Sequence, residues 1–443
     1  MRYLPHTEDE IRSMLTTIGA TSLSSLFDTI PAERRLGRPL AVEATLDEPT
    51  LMRHLNELAD ANSAARATCF LGAGSYDHHI PPAVDQLLLR SEFYTAYTPY
   101  QPELSQGTLQ AIFEFQSVVA ELLGMEIANA SMYDGASAAA EAVLMARRLT
   151  NRTHAVVSAG VHPEYIETIR AYLVGSDGTP NITVVPLGAD GRTDAAALAA
   201  AMKDDTACVL LGYPNYVGVV EDLAAARALT SSRGALLVTA TPEPYALGAI
   251  EAPGTFGVDI ATGEGQALAV PMQFGGPGVG LFACSQKHIR QMPGRLCGET
   301  VDADGRRGYV LTLSTREQHI RRERATSNIC TNHGLIALAM TIRTAMLGRT
   351  GFEKVATICL SRAEYLKKAL VATGKAQLLH SAPTFNEFAV RLTAKASDVI
   401  ARGNATGLLA GVAIGDHDLL VAVTEKRTKA DLDALVALVA LVD

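Results

Sequence analysis

Charged residues are scarce in this 443-residue sequence, at 19% of positions, and their balance does not suit a nucleic-acid partner. The formal net charge is −9, whereas affinity for a phosphate backbone requires a basic face. We therefore expect no nucleic-acid binding. Hydrophobic residues make up 48% of the chain, enough for a large core, and a large subunit interface is the simplest explanation for so little surface charge.

The sequence also lacks the marks of a metal-binding, secreted or membrane protein. Its six cysteines are scattered, with no CxxC pair and no histidine at metal-ligand spacing, so we expect reduced thiols and no metal site. Charged residues stand near the N-terminus where a signal peptide needs an apolar core, and no stretch reaches the roughly 18 apolar residues of a membrane span. These absences predict a soluble, cytoplasmic protein without membrane contact.

Hydrophobic periodicity predicts three regions. Residues 1–70 read as a helical arm, residues 71–330 as a large α/β domain, and residues 331–443 as a small α+β domain. Within the large domain, helices alternate with short apolar strands, which is typical of a mostly parallel sheet covered on both faces. The predicted strands are HAVVSA, NITVVPL, ACVLLGY, GALLVTA, VDIAT and VGLFACS, between residues 154 and 285.

Several long motifs identify a family. The segments SEFYTAYTPYQPELSQG (91–107), GYPNYVGVVED (212–222), QFGGPGVG (273–280) and STREQHIRRERATSNICTN (314–332) resemble the N-terminal half of glycine decarboxylase, the P-protein of the glycine cleavage system. In this family the P-protein is one chain of two homologous halves or two separate subunits. The resemblance implies an aspartate-aminotransferase-like fold, that of pyridoxal phosphate (PLP) enzymes, in which this half carries a vestigial PLP site.

The resemblance also implies that two groups of a PLP site are missing. Gln266 falls where the catalytic half has its Schiff-base lysine, and an amide cannot form an imine. Thr239 and Ala240 stand at the strand end where such enzymes place an aspartate against the pyridinium nitrogen. The first lysine of the chain is Lys203, and Lys287 is interpreted as a surface residue that begins a helix. We expect no catalytic and no cofactor-binding residue on this chain.

The family reaction sets the expected partners. Glycine is decarboxylated on PLP, and the aminomethyl group then passes to the lipoyl arm of H-protein. By resemblance, the PLP is held by a lysine-bearing second subunit of glycine decarboxylase, and two copies of each subunit form a heterotetramer. This chain would be the non-catalytic subunit that supports the reaction.

The candidate site is the aromatic loop before residue 108. Its two prolines alternate with Tyr97, Tyr100 and Glu103 and restrict the backbone of the loop. Ser105 and Gln106 follow. On the family resemblance we expect these five residues to line the partner's pocket as substrate-binding residues. The alternative is a packed aromatic loop with satisfied hydroxyl groups.

Other polar clusters have two interpretations each. His78 and His79 are adjacent and read as structural or solvated histidines, with pocket lining as the alternative. Asn129, Ser131 and Asp134 read as N-caps of the helix that starts near Gly135, although that helix end could also attract an anion, which in the catalytic half is the PLP phosphate. The arginines of segment 314–332 read as a solvated helix face, or as contacts to a partner or an acidic carrier.

Two other functions stay open on the sequence. One is an autonomous PLP-dependent lyase or aminotransferase that uses a lysine such as Lys287. The other is a purely structural pseudoenzyme that acts as a scaffold.

Overall fold

The protein is described by a computed structural model that covers residues 5–441, except for the side chains of residues 176 and 177. The chain divides into two compact units, Met1–Asn62 and Ser63–Asp443. Among the helices of this described part, none is both long and apolar enough to cross a membrane.

The first unit contains two capped helices, α1 (Glu8–Thr17) and α2 (Glu48–Ala61). Thr7 and Glu10 form a capping box at the start of α1, and the Asp47 carboxylate accepts from the Thr50 N–H at the start of α2. No residue of either helix is buried.

The second unit holds the sheets and the remaining helices. In chain order its strands are β1 (Thr68–Cys69), β2 (Ile127–Ala128), β3 (His154–Ser158), β4 (Ile182–Val185), β5 (Thr206–Gly212), β6 (Leu236–Thr241), β7 (Ile260–Glu264), β8 (Gly280–Cys284), β9 (Leu296–Val301), β10 (Arg307–Thr312), β11 (Ala376–Leu378), β12 (Glu387–Leu392), β13 (Leu408–Leu409), β14 (Val412–Ala413) and β15 (Asp418–Ala422). Its helices are α3 (Pro82–Leu88), α4 (Ser91–Tyr94), α5 (Gln106–Leu123), α6 (Gly135–Thr150), α7 (Pro163–Asp177), α8 (Ala195–Ala201), α9 (Leu223–Ser232), α10 (Gln318–Arg321), α11 (Gly334–Ala372), α12 (Ala396–Ala405) and α13 (Lys429–Ala440).

A seven-stranded sheet in the order β2-β8-β7-β6-β5-β3-β4 forms the centre of this unit. The strands from β7 to β4 are parallel, and β8 runs antiparallel to both β7 and β2. All six strands predicted between residues 154 and 285 are present as β3 to β8. Because the carboxyl ends of parallel strands share one edge, β6 and β7 end side by side.

Both faces of the sheet are buried. Along β5, Cys208 and Leu210 belong to the core that includes α6 and α7, whereas Val209 and Leu211 belong to the core that includes α5 and α11. This alternation explains why the strands read as continuous apolar runs. The predicted α/β fold is confirmed.

The C-terminal part adds a four-stranded antiparallel sheet in the order β11-β12-β15-β14. Its core packs against α12, α13 and the second half of α11, which is broken at Gly348 (φ +58°, ψ 178°). The hairpin of β9 and β10 was not among the predicted strands.

Candidate functional site

The carboxyl end of β7 carries Glu264 and, two residues later, Gln266. The strand ends at Glu264, and a short 3₁₀ turn begins at Gln266. The side-chain amide of Gln266 donates to the carbonyl oxygen of Val270. An amide nitrogen is not nucleophilic, so this position cannot hold an aldehyde covalently.

The neighbouring strand β6 ends at Thr241, and the first carboxylate after it, that of Glu243, is buried and hydrogen-bonded to His78 and Asn386. Thr239 and Ala240 are both buried there. The Thr262 hydroxyl donates to the Thr239 carbonyl oxygen at 2.9 Å, while the hydroxyls of Thr239 and Thr241 are buried without a hydrogen-bond partner among the described residues. Thr239 and Ala240 thus offer no counter-charge to a pyridinium nitrogen, and Glu243, two residues beyond the strand, is already paired with His78.

A cavity of about 340 Å³ opens beside Gln266. Its walls are Gly74, Ser75, Tyr133, Asp134, Glu264, Gln266, His333 and the segment 272–278. The charged side chains are the carboxylates Asp134 and Glu264, and the lining residues that the structure describes include no lysine and no arginine. A phosphate group here would therefore lack the lysine or arginine partner that usually pairs with it.

The Glu264 carboxylate occupies the N-terminus of α6. Its Oε2 accepts from the backbone N–H of Gly135, the first residue of that helix, at 2.9 Å. Its Oε1 accepts from the N–H groups of Gln266 and Val279, each at 2.9 Å. Burial raises the pKa of Glu264 to about 7, against the opposing effect of these three hydrogen bonds.

The aromatic loop lies on the surface. Tyr97 and Tyr100 are 72% and 76% exposed, with ring centroids 6.4 Å apart, and Glu103 is also exposed. Tyr97 lines a small cleft together with Arg295 and Leu335. The alternative of a packed aromatic loop therefore does not describe these tyrosines.

Ser105 and Gln106 connect the loop to α5. Ser105 is the N-cap residue, but its side chain makes no capping hydrogen bond. The Gln106 amide is engaged with the backbone of β10: Nε2 donates to the Tyr309 carbonyl at 2.9 Å, and Oε1 accepts from the Tyr309 N–H at 2.8 Å. Gln106 thus fixes the C-terminal end of the loop.

Comparison with known proteins identifies the family. The family model described as "Glycine cleavage system P-protein" matches residues 1–439. The chain belongs to this family. A P-protein relative from Sorangium cellulosum, named "Probable glycine dehydrogenase (decarboxylating) subunit 1", is 57% identical over 99% of this chain and 98% of its own length.

Solved structures agree with the P-protein assignment. The crystal structure of glycine decarboxylase (P-protein) of the glycine cleavage system, in inhibitor-bound form, superposes with a TM-score of 0.90 at 43% identity, over 99% of each chain. Glutamate decarboxylase from Lactobacillus brevis superposes with a TM-score of 0.68 at 13% identity, over 94% of this chain and 96% of its own. That second likeness shows the fold alone, and the predicted PLP-enzyme fold is confirmed.

The residues of this P-protein chain do not fit PLP as a resident cofactor. Gln266 offers no amine, Thr239 and Ala240 offer no carboxylate, and the Glu243 carboxylate is already paired with His78. The cavity wall also carries two acidic side chains. Lys287, the alternative lysine, has a side chain that is 64% exposed and lies 3.7 Å from Asp259, so its interpretation as a surface residue is confirmed. The 3₁₀ helix Gln286–Gln291 begins one residue before it.

His78 and His79 have different environments. His78 is buried between two carboxylates, with Nε2 2.9 Å from Glu243 Oε2 and Nδ1 2.6 Å from Glu425 Oε2, whereas His79 is exposed. Burial alone would lower the pKa of His78, but the two carboxylates raise it to about 9. His78, Cys359 and Glu425 are close enough to hold a metal ion. Both ring nitrogens of His78 face carboxylates, so the geometry suits an imidazolium ion paired with Glu243 and Glu425 rather than a metal ligand.

The three residues that were predicted to cap α6 have different roles. Asp134 caps the helix, since its carboxylate accepts from the Ser137 N–H at 2.7 Å. Asn129 and Ser131 are fully buried and do not cap it. The Asn129 amide donates to the Pro293 carbonyl, and the Ser131 hydroxyl accepts from the Asn332 amide at 2.9 Å. The capping prediction is correct for Asp134 and wrong for the other two.

The arginine-rich segment is not one solvated helix face. Arg316 is buried, and its guanidinium donates to the carbonyl oxygens of Met292 and Gly294. Arg321 and Arg324 are exposed. The prediction was wrong for Arg316 because the segment is broken into short turns rather than continued as a helix.

Sequence reasoning missed Glu264. A glutamate between two glycines, after the apolar run VDIAT, reads as the solvated start of a loop. Its one usable signal is its position, two residues before the glutamine that replaces the lysine.

Proposed function

We propose that this chain is the lysine-lacking subunit of a two-subunit glycine dehydrogenase (decarboxylating). It supports the decarboxylation of glycine and the transfer of the aminomethyl group to the lipoyl arm of H-protein, while the partner subunit provides the lysine and PLP. The observation that carries the proposal is Gln266 at the lysine position, in a chain whose full-length relatives are named as a subunit of this enzyme. The autonomous PLP enzyme has no support, because Lys287 lies on the surface.

The proposed contribution of this chain to catalysis is the loop with Tyr97, Tyr100 and Glu103. Its polar groups are exposed and its end is fixed by Gln106, so the loop offers side chains of defined position to a facing subunit. We place Ser105 at its base. Positioned polar groups of this kind orient substrate and stabilise charge that develops in the transition state.

The exposed apolar side chains around the loop support a partner interface. Leu104 is 80% exposed, and Phe274, on the glycine-rich segment, is fully exposed. The two regions adjoin, since Asn332 lines the cleft beside Tyr97 and His333 lines the cavity beside Phe274. Contiguous exposed apolar side chains mark interaction surfaces, and the homologous lysine-bearing subunit is the occupant we propose.

The test is to locate the cofactor in the co-expressed complex. Borohydride reduction followed by peptide mass spectrometry should find the pyridoxyl group on the partner and none on this chain, and glycine decarboxylation should require both subunits. A pyridoxyl-lysine peptide from this chain, or full activity of the partner alone, would refute the proposal.

The variant Gln266→Lys sharpens this test. It restores the amine, but Glu264 still occupies the helix end and Ala240 still offers no counter-charge. We therefore expect no adduct at position 266 and unchanged activity of the complex. An adduct there would show that the amine alone was missing.

A further inference from the structure

The start of α6 is an anion-binding position that is already filled. Helix N-termini bind phosphate and carboxylate groups through unpaired backbone N–H groups and the helix dipole. Here the Gly135 N–H donates to Glu264, and the next capping bond is supplied by Asp134. Two carboxylates of the chain thus serve the first turn of this helix.

The position is built from three separate parts of the chain. The donors to Glu264 are the N–H groups of Gly135 at the start of α6, Gln266 after β7, and Val279 before β8. Three N–H groups from separate segments thus converge on one carboxylate, so the position is more than a single helix end, and we call it the oxyanion nest.

Glycine lets the surrounding backbone approach the carboxylate. A Cβ at Gly278 would lie 3.0 Å from Glu264 Oε2, and a Cβ at Gly135 would lie 2.2 Å from the Tyr165 hydroxyl and 3.1 Å from the Glu264 Cβ. Side chains at these two positions would therefore crowd the Glu264 side chain, and glycine leaves room for it.

We infer that Glu264 is a built-in substitute for a phosphate group: its carboxylate fills an oxyanion nest that would otherwise accept a phosphate monoester, and so keeps the vestigial site closed to such ligands. The inference rests on the proposed function in one respect, the equivalence of this helix end with the phosphate position of the catalytic half. Its chemistry depends only on residues of this chain.

The experiment is amide hydrogen exchange on the full chain within its complex, because mass spectrometry assigns peptides to this chain whatever the partner binds. In Glu264→Ala, the Gly135, Gln266 and Val279 amides lose their acceptor and should exchange about tenfold faster or more. Inorganic phosphate at about ten times its Kd should slow them again by about tenfold, with chloride of equal ionic strength as the reference. The wild-type chain should show no response to phosphate.

Glu141→Ala is the matched control. Glu141 is a buried carboxylate in the same helix, but the three N–H groups of the nest donate to Glu264 and not to it. Its variant should exchange without any response to phosphate. An equal phosphate response in both alanine variants would indicate general salt stabilisation and would overturn the inference, as would a folded Glu264→Ala variant that does not respond.

Glu264→Gln covers the case in which the alanine variant does not fold. The amide keeps the volume but has one oxygen, so it can serve the N–H groups of Gln266 and Val279 while its NH₂ group faces Gly135. We expect faster exchange at Gly135 alone, with no rescue by phosphate because the nest remains filled. Undiminished protection of Gly135 would refute the assignment. Turnover is not a readout, so this result is independent of whether the complex decarboxylates glycine.

Discussion

At the scale of single residues, two side chains carry the proposal that PLP is held by the partner subunit. On the inference above, the Glu264 side chain takes the place of a phosphate group, and Gln266 lacks the amine that would hold an aldehyde. The two changes lie two residues apart on one strand end. A substitution at one of these positions therefore leaves the other feature in place, as in the Gln266→Lys test.

A cluster of buried charged residues around His78 holds the loop of residues 71–80 in place. His78 bridges Glu243 and Glu425, and nearby Glu387 accepts from the Tyr76 hydroxyl at 2.8 Å and from the Ala73 N–H at 2.6 Å. Burial raises the pKa of Glu387 to about 8, whereas His78 lowers that of Glu425 to about 2 despite its burial. The cluster thus links this loop to the ends of β6, β12 and β15.

His78→Gln should destabilise the chain by about 3 kcal/mol near neutral pH, because it leaves two buried carboxylates without their cation. Since the folded pKa of His78 is raised to about 9, its contribution is complete below the unfolded value near 6.5 and is lost as pH rises through 9. The stability difference between variant and wild type should therefore shrink between about pH 6.5 and pH 9 and stay small above pH 9. Urea denaturation of the complex at several pH values measures it.

His79→Gln is the control, since His79 is exposed. It should change stability by no more than about 0.5 kcal/mol at any pH. A His78→Gln difference that grows with pH would contradict the assignment of a protonated His78.

At the scale of elements, the sheet could be predicted because its strands are buried on both faces. Short apolar runs such as ACVLLGY alternate with segments of helical periodicity, and this pattern is typical of buried strands in a parallel sheet. The break of α11 at Gly348 and the hairpin of β9 and β10 were not predictable in the same way. In the sequence LCGETV only the first two residues are buried, so β9 shows no apolar pattern along most of its length.

The candidate site could be predicted only in part. Resemblance singled out residues such as Gln266 and Tyr97, but the contacts of such residues depend on tertiary structure. Arg316 pairs with carbonyl oxygens more than 20 residues away, and Glu264 with a helix more than 100 residues away. No local pattern encodes such distances, so charged residues with buried partners read as solvated ones.

The aromatic loop gives a prediction at this scale. Tyr97→Phe, Tyr100→Phe and Glu103→Gln each change one exposed polar group with little change in volume, so the complex should assemble and retain PLP. At least one of them should lower glycine decarboxylation by about 10² if the loop positions substrate or stabilises developing charge. The measurement is CO₂ release with H-protein, together with the sedimentation of the complex.

Tyr94→Phe is the matched control, because Tyr94 is 63% exposed in the same segment but is not among the proposed lining residues. Its activity should stay near that of the wild type. Near-normal turnover of all three test variants, with intact assembly, would reduce the role of the chain to that of a scaffold.

At the scale of the whole molecule, the low charge content and the exposed apolar side chains both indicate a subunit interface. Only 19% of residues are charged, and Tyr97, Tyr100, Leu104 and Phe274 expose between 72% and 104% of their surface. An obligate interface of this kind commonly buries about 2,000 Å² or more and is more hydrophobic than ordinary surface. A chain that presents such a surface alone should associate with itself.

We therefore expect the chain expressed alone to sediment as oligomers or aggregates, and the co-expressed complex as a single species. The double variant Leu104→Ser with Phe274→Ser should shift the isolated chain toward monomer and weaken partner binding by tenfold or more, because exposed aromatic and aliphatic anchors dominate such interfaces. Val301→Ser, at a 65% exposed position on β9, is the control and should change neither property.

Analytical ultracentrifugation of the isolated chain and of the complex measures both properties. A wild-type chain that stays monomeric at high concentration would show that these side chains are ordinary surface, and the subunit interface would then have to lie elsewhere.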